Sequence, residues 1–256
     1  MNVSRLSQAG RKKITSLRQK KYRDSTGYCL VEGRRAVESA VAAGAGVREI
    51  VVTDEVLHDD AMASVLAAAG AVFVASARDI ERLSDVETSQ GIVAVACTEW
   101  SRLEDVEGCR RIVALDGIQD PGNVGTILRS AAWFGIDGVL CGRGVADCYG
   151  PKVLRASMGG VWDLRLVRAD ALATDLSRLH AKGHVVYAAD LRGEDMESWD
   201  PRSPSCLVLG SEAHGVSPEV DAVVDERVRI PGRRKTGATE SLNVAVAAGI
   251  LLSRWT

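Results

Sequence analysis

The sequence predicts an α/β protein of two successive layered domains, the second built on a parallel sheet. Three observations point there. Along most of the 256 residues, apolar runs of strand length alternate with helical patterns. Several of those runs, IVAL at 112–115, VVYAA at 185–189 and CLVLG at 206–210, are apolar without alternation, as strands buried on both faces of a parallel sheet are. Between the two alternating blocks lies a charged stretch without clean periodicity, EWSRLEDVEGCRR. The expected organisation is a first domain over 1–98, a linker over 99–110 and a second domain over 111–256.

In the first domain, Ser4 to Arg23 reads as one basic helix with Leu6, Ile14 and Leu17 as sparse apolar contacts. A strand is expected at Tyr28 to Gly33, a helix at Arg35 to Ala43 closed by Gly44, and a strand at Glu49 to Thr53. An Ala-rich helix over Asp60 to Ala69, closed by Gly70, precedes a strand at 71–75, a short helix at 79–84 and a strand at 92–97. In the second domain, strands are expected near 112–115, 138–141, 164–167, 185–189, 206–209 and 228–230. Helices at 123–134, 151–158 and 172–181 are interleaved with them. The chain closes on a helix containing Val244 to Leu252, nine residues with no polar side chain.

Composition narrows the function. A hydrophobic content of 46% supports a real core, and an apolar run of nine residues is far short of the roughly 20 that a membrane span needs. The start, MNVSRLSQAGRKK, lacks the apolar segment of a secretory signal, so a cytoplasmic protein with no membrane partner is expected. The six cysteines show no C-x-x-C and no zinc-ligand spacing with His, so they read as buried thiols and no metal is expected. Net charge is −2, yet residues 1–35 hold ten bases against two acids and residues 36–110 five against fourteen. A basic arm of this kind suggests a polyanion partner or a solvated helix face, and charge alone leaves the two level.

Ligands of a parallel α/β sheet bind beyond the C-terminal ends of its strands. After the strand at 112–115 comes DGIQDPGNVGTILR, in which Asn123 sits where a helix is capped. Arg129 follows on a small, apolar helix and must meet an acid, an anion or water, a salt bridge to Glu212 or simple snorkelling being the plain outcomes. After 206–209 comes a Gly-bracketed loop with Glu212 and His214, and after 228–230 the basic loop GRRKTGAT, suited to phosphate or a nucleic acid backbone. The fingerprints G-x-G-x-x-G, G-x-x-x-x-G-K-[ST] and G-x-S-x-G do not occur, which disfavours a dehydrogenase, a P-loop enzyme or a serine hydrolase.

Three of these stretches, LDGIQDPGNVGTILRSAAWFG at 115–135, LVLGSEAHGV at 207–216 and IPG…ESLNVAVAAGILL at 230–252, resemble the ordered motifs of the SpoU/TrmH RNA 2′-O-ribose methyltransferases of the SPOUT superfamily. Residues 1–98, with KKYRDSTGYCLVEGRRAVESAV, resemble the L30e-like substrate-binding domain that often precedes that catalytic domain. The resemblance implies a trefoil knot through which the last helix is threaded, so that helix is expected to be enclosed on every side. It implies S-adenosylmethionine as cofactor, held largely by backbone groups of Leu209, Gly210, Ile230 and Leu242, with no acidic ribose ligand visible. It places Arg129 beside the reacting hydroxyl, Asn123 and Glu212 as supports of Arg129 and the loops, and Ser241 and Asn243 on the substrate side.

The loop at 232–239 is about three residues longer than usual in that family, so Arg233, Arg234 and Lys235 are expected to reach RNA rather than cofactor. Arg11, Lys12, Lys13, Lys20, Lys21, Arg23, Arg34 and Arg35 form the expected RNA grip of the basic arm. Homodimerisation, with the active site near the interface, is implied too. The expected reaction is 2′-O-ribose methylation of structured RNA, 23S ribosomal RNA ahead of transfer RNA. A non-catalytic RNA-binding protein of the same fold is the competing reading.

Overall fold

The structure, a computed structural model, describes residues 3–84, 89–232 and 241–256. In chain order it holds β1 (Val3–Arg5), α1 (Gln8–Ser16), α2 (Lys20–Thr26), β2 (Tyr28–Glu32), α3 (Arg34–Ala42), β3 (Val47–Val52), α4 (Asp54–Leu57), α5 (Ala63–Ala67), β4 (Ala71–Val74), α6 (Ala77–Leu83) and β5 (Ile92–Cys97). There follow β6 (Arg111–Asp116), α7 (Pro121–Trp133), β7 (Gly138–Gly142), α8 (Pro151–Ser157), β8 (Arg165–Ala169), α9 (Leu172–Ala181), β9 (Val185–Asp195), β10 (Ser205–Gly210), α10 (Pro218–Asp221), β11 (Glu226–Arg229) and α11 (Val244–Trp255). The elements form two compact units, Met1–Glu99 with Asp147–Trp162, and Trp100–Ala146 with Asp163–Thr256.

The first unit is a five-stranded mixed sheet in the order β1-β4-β3-β5-β2. The expected single basic helix is in fact a strand and two helices. Leu6 continues β1 through a backbone bond to Val74, and the Ser7 hydroxyl then caps α1 by accepting from Gly10 N at 3.0 Å. Gln19 is extended between the helices, and Gly27, at φ +72°, ends α2 in the left-handed conformation that glycine adopts without strain. The break turns Ile14 and Leu17 into a core with Leu30, Val51, Ile80, Leu83 and Val95. The helix expected over 60–69 is also shorter, a 3-10 turn at Asp60–Met62 leading into α5, and α4, capped by Thr53, precedes it.

Arg23 points inward rather than to solvent and is 6% exposed. Its guanidinium donates to Leu17 O at 2.6 Å, to Arg18 O at 2.8 Å and to the Asp147 carboxylate at 2.9 and 2.5 Å. It is a structural residue, not part of an RNA grip. The same anchoring explains why 147–162 packs with the first unit although it lies in the expected second domain. Arg155 donates to Glu32 at 2.7 Å, and the Tyr149 hydroxyl donates to Glu99 O at 2.6 Å. Burial raises the Glu32 carboxyl above its ordinary pKa, against the opposing pull of Arg155.

The second unit is a six-stranded sheet in the order β11-β9-β10-β6-β7-β8 with every pair parallel. The expected linker is part of this unit. Leu103, Val106 and Cys109 are buried in the core with Ile112, Leu140, Val167 and Leu176, and a Cβ on Gly138 would stand 2.8 Å from Val106 Cγ1. Its charged residues hid three core positions, each three residues after the last. β9 runs well past the expected 189 because its far end pairs with β11, Glu194 opposite Val228 and Asp195 opposite Arg229.

The last helix buries Ala245, Ala248, Leu251, Leu252 and Trp255, whose indole donates to Ser205 Oγ at 3.1 Å. It is not enclosed on every side, since Val246 is 51% exposed. Its apolar surround is therefore incomplete within one copy of the chain.

Replacing Arg23 by Met leaves Asp147 and two backbone carbonyls without their donor, so urea unfolding should report a loss of about 3–5 kcal/mol. The same change at exposed Lys21 should move stability by no more than about 0.5 kcal/mol. Equal effects of the two would remove the structural role given to Arg23.

Candidate active site

The loops beyond the C-terminal ends of β6, β10 and β11 converge. Asp120, not Asn123, caps α7, its carboxylate accepting from Asn123 N at 2.8 Å. That leaves the Asn123 side chain free to bridge. Its Nδ2 donates to Glu212 Oε1, and its Oδ1 accepts from Asn243 Nδ2 at 2.9 Å. Asn243 in turn caps α11, with Oδ1 accepting from Ala245 N at 2.9 Å and Val246 N at 3.3 Å. The two helix starts and the loop after β10 are thus tied by one directional chain, in which each amide orientation is set by its neighbours.

The loop after β10 turns back at once. Ser211 and Gly215 exchange backbone hydrogen bonds at 3.0 and 2.8 Å, and Gly215 sits at φ +67°. A Cβ on Gly210 would stand 2.2 Å from the carbonyl carbon of Gly215, so only glycine permits this close approach. Ser217 N donates to Asp116 at 2.7 Å and pins the loop to the end of β6.

Beside this loop lies a cavity of about 660 Å³. All four residues expected to hold the cofactor, Leu209, Gly210, Ile230 and Leu242, line it, as do Glu212 and Ser241. Asn123 and Asn243 stand behind Glu212 in the hydrogen-bonded chain. Arg129 does not line the cavity. It is exposed on the side of α7 that also carries Thr126 and Trp133, and it makes no hydrogen bond or ion pair among the described residues. The simple salt bridge to Glu212 is not formed, and Asn123 and Glu212 hold each other rather than Arg129. Arg233, Arg234 and Lys235 lie outside the described residues.

Sequence reasoning missed the wall contributed by Ala189, Asp190, Leu191 and Arg192. The signal was there, since Ala189 ends VVYAA and the other three directly follow it, at the end of an apolar run where a ligand belongs. The Arg192 guanidinium, bonded to Asp190 at 2.6 and 3.0 Å, holds the Asp190 carboxyl below the usual carboxylate range.

In the first unit the basic arm sorts into two groups. Arg11 is paired with Asp79, Lys13 with Glu49 at 3.1 Å, and Arg34 with Asp59 at 2.5 Å and Glu38 at 3.4 Å. Lys12, Lys20, Lys21 and Arg35 are exposed and have no ion pair among the described residues. The Lys21 ammonium lies 4.8 Å from the ring centroid of Tyr22, which is 38% exposed.

A parallel α/β sheet with a glycine-tight loop and a mostly apolar cavity at its strand ends has its ligand site where α/β enzymes carry theirs. Comparison with known proteins gives the family. Residues 110–253 match the SpoU rRNA Methylase family and residues 11–94 the MRM3-like substrate binding domain, and the chain belongs to the SpoU rRNA methylase family. It is 34% identical over 237 residues to 23S rRNA (guanosine(2553)-2'-O)-methyltransferase RlmP of Bacillus subtilis, covering 92% of this chain and 91% of that protein. The AdoMet-bound rRNA methyltransferase from Sinorhizobium meliloti superposes with a TM-score of 0.85 at 29% identity, over 99% of this chain and 97% of that one. The SpoU methyltransferase AviRb from Streptomyces viridochromogenes, in complex with AdoMet, gives 0.84 at 26% identity over 97% of each chain.

Gly210→Ala should leave the sheet folded but force the loop at 211–215 away from β10. Calorimetry with S-adenosylmethionine should then show affinity reduced by at least about tenfold. Unchanged affinity would mean that the cavity beside Gly210 is not where the cofactor sits.

Proposed function

We propose that this protein transfers a methyl group from S-adenosylmethionine to a ribose 2′-hydroxyl of ribosomal RNA, 23S RNA in the first place. The observation that carries the reading is the convergence of Leu209, Gly210, Ile230 and Leu242 on one cavity next to the Asn243–Asn123–Glu212 chain. The cavity suits the cofactor. Leu209, Val228, Ile230, Leu242 and Leu251 offer an apolar wall to a purine, and Asp190 and Glu212 offer carboxylates to a ligand that carries positive charge and hydroxyls. When bound, S-adenosylmethionine supplies an already activated methyl group on a sulfonium.

The protein's tasks are then alignment and care of the hydroxyl proton. The Asn243–Asn123–Glu212 chain fixes the floor on which the ribose is aligned. A guanidinium stays protonated in proteins, so Arg129 orients the hydroxyl and stabilises the oxygen as it gains negative charge, with the RNA phosphate as the nearby base. Because Arg129 is exposed and outside its own cavity, we assign it to the cavity of a second copy. Trp133, 84% exposed one turn further along α7, and Val246 on neighbouring α11 supply the apolar face for that homodimer. The trefoil knot and a cytoplasmic location belong to the same proposal.

The first test is transfer of labelled methyl to ribosomal RNA that lacks the modification. The expected product is an alkali-resistant dinucleotide from the large RNA. Arg129→Ala should lower turnover by about 100-fold or more while cofactor affinity stays within about twofold. Wild-type turnover in Arg129→Ala would remove its catalytic role, and label only in transfer RNA would move the substrate assignment.

For the RNA grip, Lys12, Lys20, Lys21 and Arg35 replaced together by Gln should weaken RNA binding. The log–log salt dependence should become shallower by about 3, with cofactor binding intact. An unchanged slope would show that these cations do not meet the phosphates.

A further inference from the structure

The cavity contains a carboxylate to which neither the fold nor the hydrogen-bonded chain at α7 gives a role. Asp190 lies on β9, while Glu212 follows β10 and is tied to α7, which begins beyond β6. In the strand order β11-β9-β10-β6 the two carboxylates therefore enter one cavity from opposite sides of β10. The methyl acceptor must approach on the Glu212 side, where Asn123, Asn243 and Ser241 gather. The side of β9 and β11 is left for the nucleoside of the cofactor, and its walls there, Leu191, Val228 and Ile230, are apolar.

Asp190 is the acidic residue among them, beside Arg192 and Arg229. Its side chain is only 16% exposed, and it is held rather than mobile. Arg192 donates to Oδ1 from its backbone N at 2.8 Å and from Nε at 3.0 Å, and to Oδ2 from Nη2 at 2.6 Å. The guanidinium itself sits at the rim, 71% exposed, with Asp221 3.9 Å away as a second anchor. Nε also reaches Oδ2 at 3.2 Å, so its one N–H is shared between the two oxygens. Three N–H groups thus lock the rotamer, leaving about one of the roughly four acceptor sites, and the long shared branch is the one a second hydroxyl would displace. An ionised carboxylate only accepts, and the paired donors that a nucleoside presents are its vicinal hydroxyls.

We propose that Asp190 is the ribose-binding carboxylate of this site, accepting from the 2′- and 3′-hydroxyls of the adenosine moiety, with Arg192 as its positioning clamp. The inference rests on the assignment of this cavity to S-adenosylmethionine. It adds an acidic ribose ligand to a recognition expected to be largely by backbone groups.

The test is a cycle between protein and ligand. Dissociation constants of S-adenosylhomocysteine and its 2′-deoxy and 3′-deoxy analogues are measured by calorimetry on wild type and on Asp190→Asn. The isosteric amide keeps the fold, which thermal unfolding checks. Wild type should prefer the ribo ligand by about tenfold or more over at least one deoxy analogue, and Asp190→Asn should erase most of that preference. A purely structural role for Asp190 would weaken all three ligands equally and leave the preference intact, which overturns the proposal. Absence of any preference in wild type overturns it too. Wild type that binds neither S-adenosylhomocysteine nor S-adenosylmethionine would fail the functional reading itself, a result distinct from both.

Discussion

The second unit depends on β10 being paired on both sides. β6 and β9 hold it in parallel register from Ser205 onward, and Cys206, Leu207, Val208 and Leu209 are wholly buried. Burial of side chains of this size is worth about 1.5–3 kcal/mol each, so the strand is among the least mobile parts of the unit. Its last residue, Gly210, is therefore a rigid point from which the tight loop at 211–215 springs. Glu212 is delivered from that loop to Asn123, and Asn123 to Asn243. Preorganisation of the site follows from a paired strand and two capped helices rather than from the loops themselves.

Much of this was legible in the sequence. Parallel strands buried on both faces leave unbroken apolar runs, and the rule that ligands sit at their C-terminal ends turns those runs into a small set of loops. The motifs in those loops resemble the SpoU/TrmH family, and that resemblance singled out Leu209, Gly210, Glu212, Ile230, Ser241 and Leu242, which share one cavity. Asp190 belonged to it in principle, and Arg192, Gly193, Glu194 and Asp195 marked the place, but none of the three recognised motifs covers it.

What stayed hidden were contacts that composition does not encode. Arg23 looked like the other cations of the arm, yet its partner Asp147 is 124 positions away. No count of charges tells a buried guanidinium from a solvated one. The stretch at 99–110 looked like a linker because three core residues, Leu103, Val106 and Cys109, lie three apart among charged residues, the period of the short 3-10 turn at Leu103–Asp105 and not of a strand or long α-helix. The last helix read as enclosed because every position from Val244 to Leu252 is apolar, but an apolar residue such as Val246 can equally await a second copy of the chain.

That second copy is the central claim. Arg129, the cation proposed for the reacting oxygen, lies outside the cavity of its own chain, on the same side of α7 as an almost fully exposed Trp133. The direct test mixes Arg129→Ala with Gly210→Ala, at an S-adenosylmethionine concentration too low to fill the Gly210→Ala site, and measures methyl transfer after subunit exchange. If Arg129 acts across the interface, half of the dimers are mixed and each has one intact site, so activity should return to about one quarter of wild type. If Arg129 acts within its own chain, every site in the mixture stays broken and no activity returns, which would contradict an active site shared between two copies.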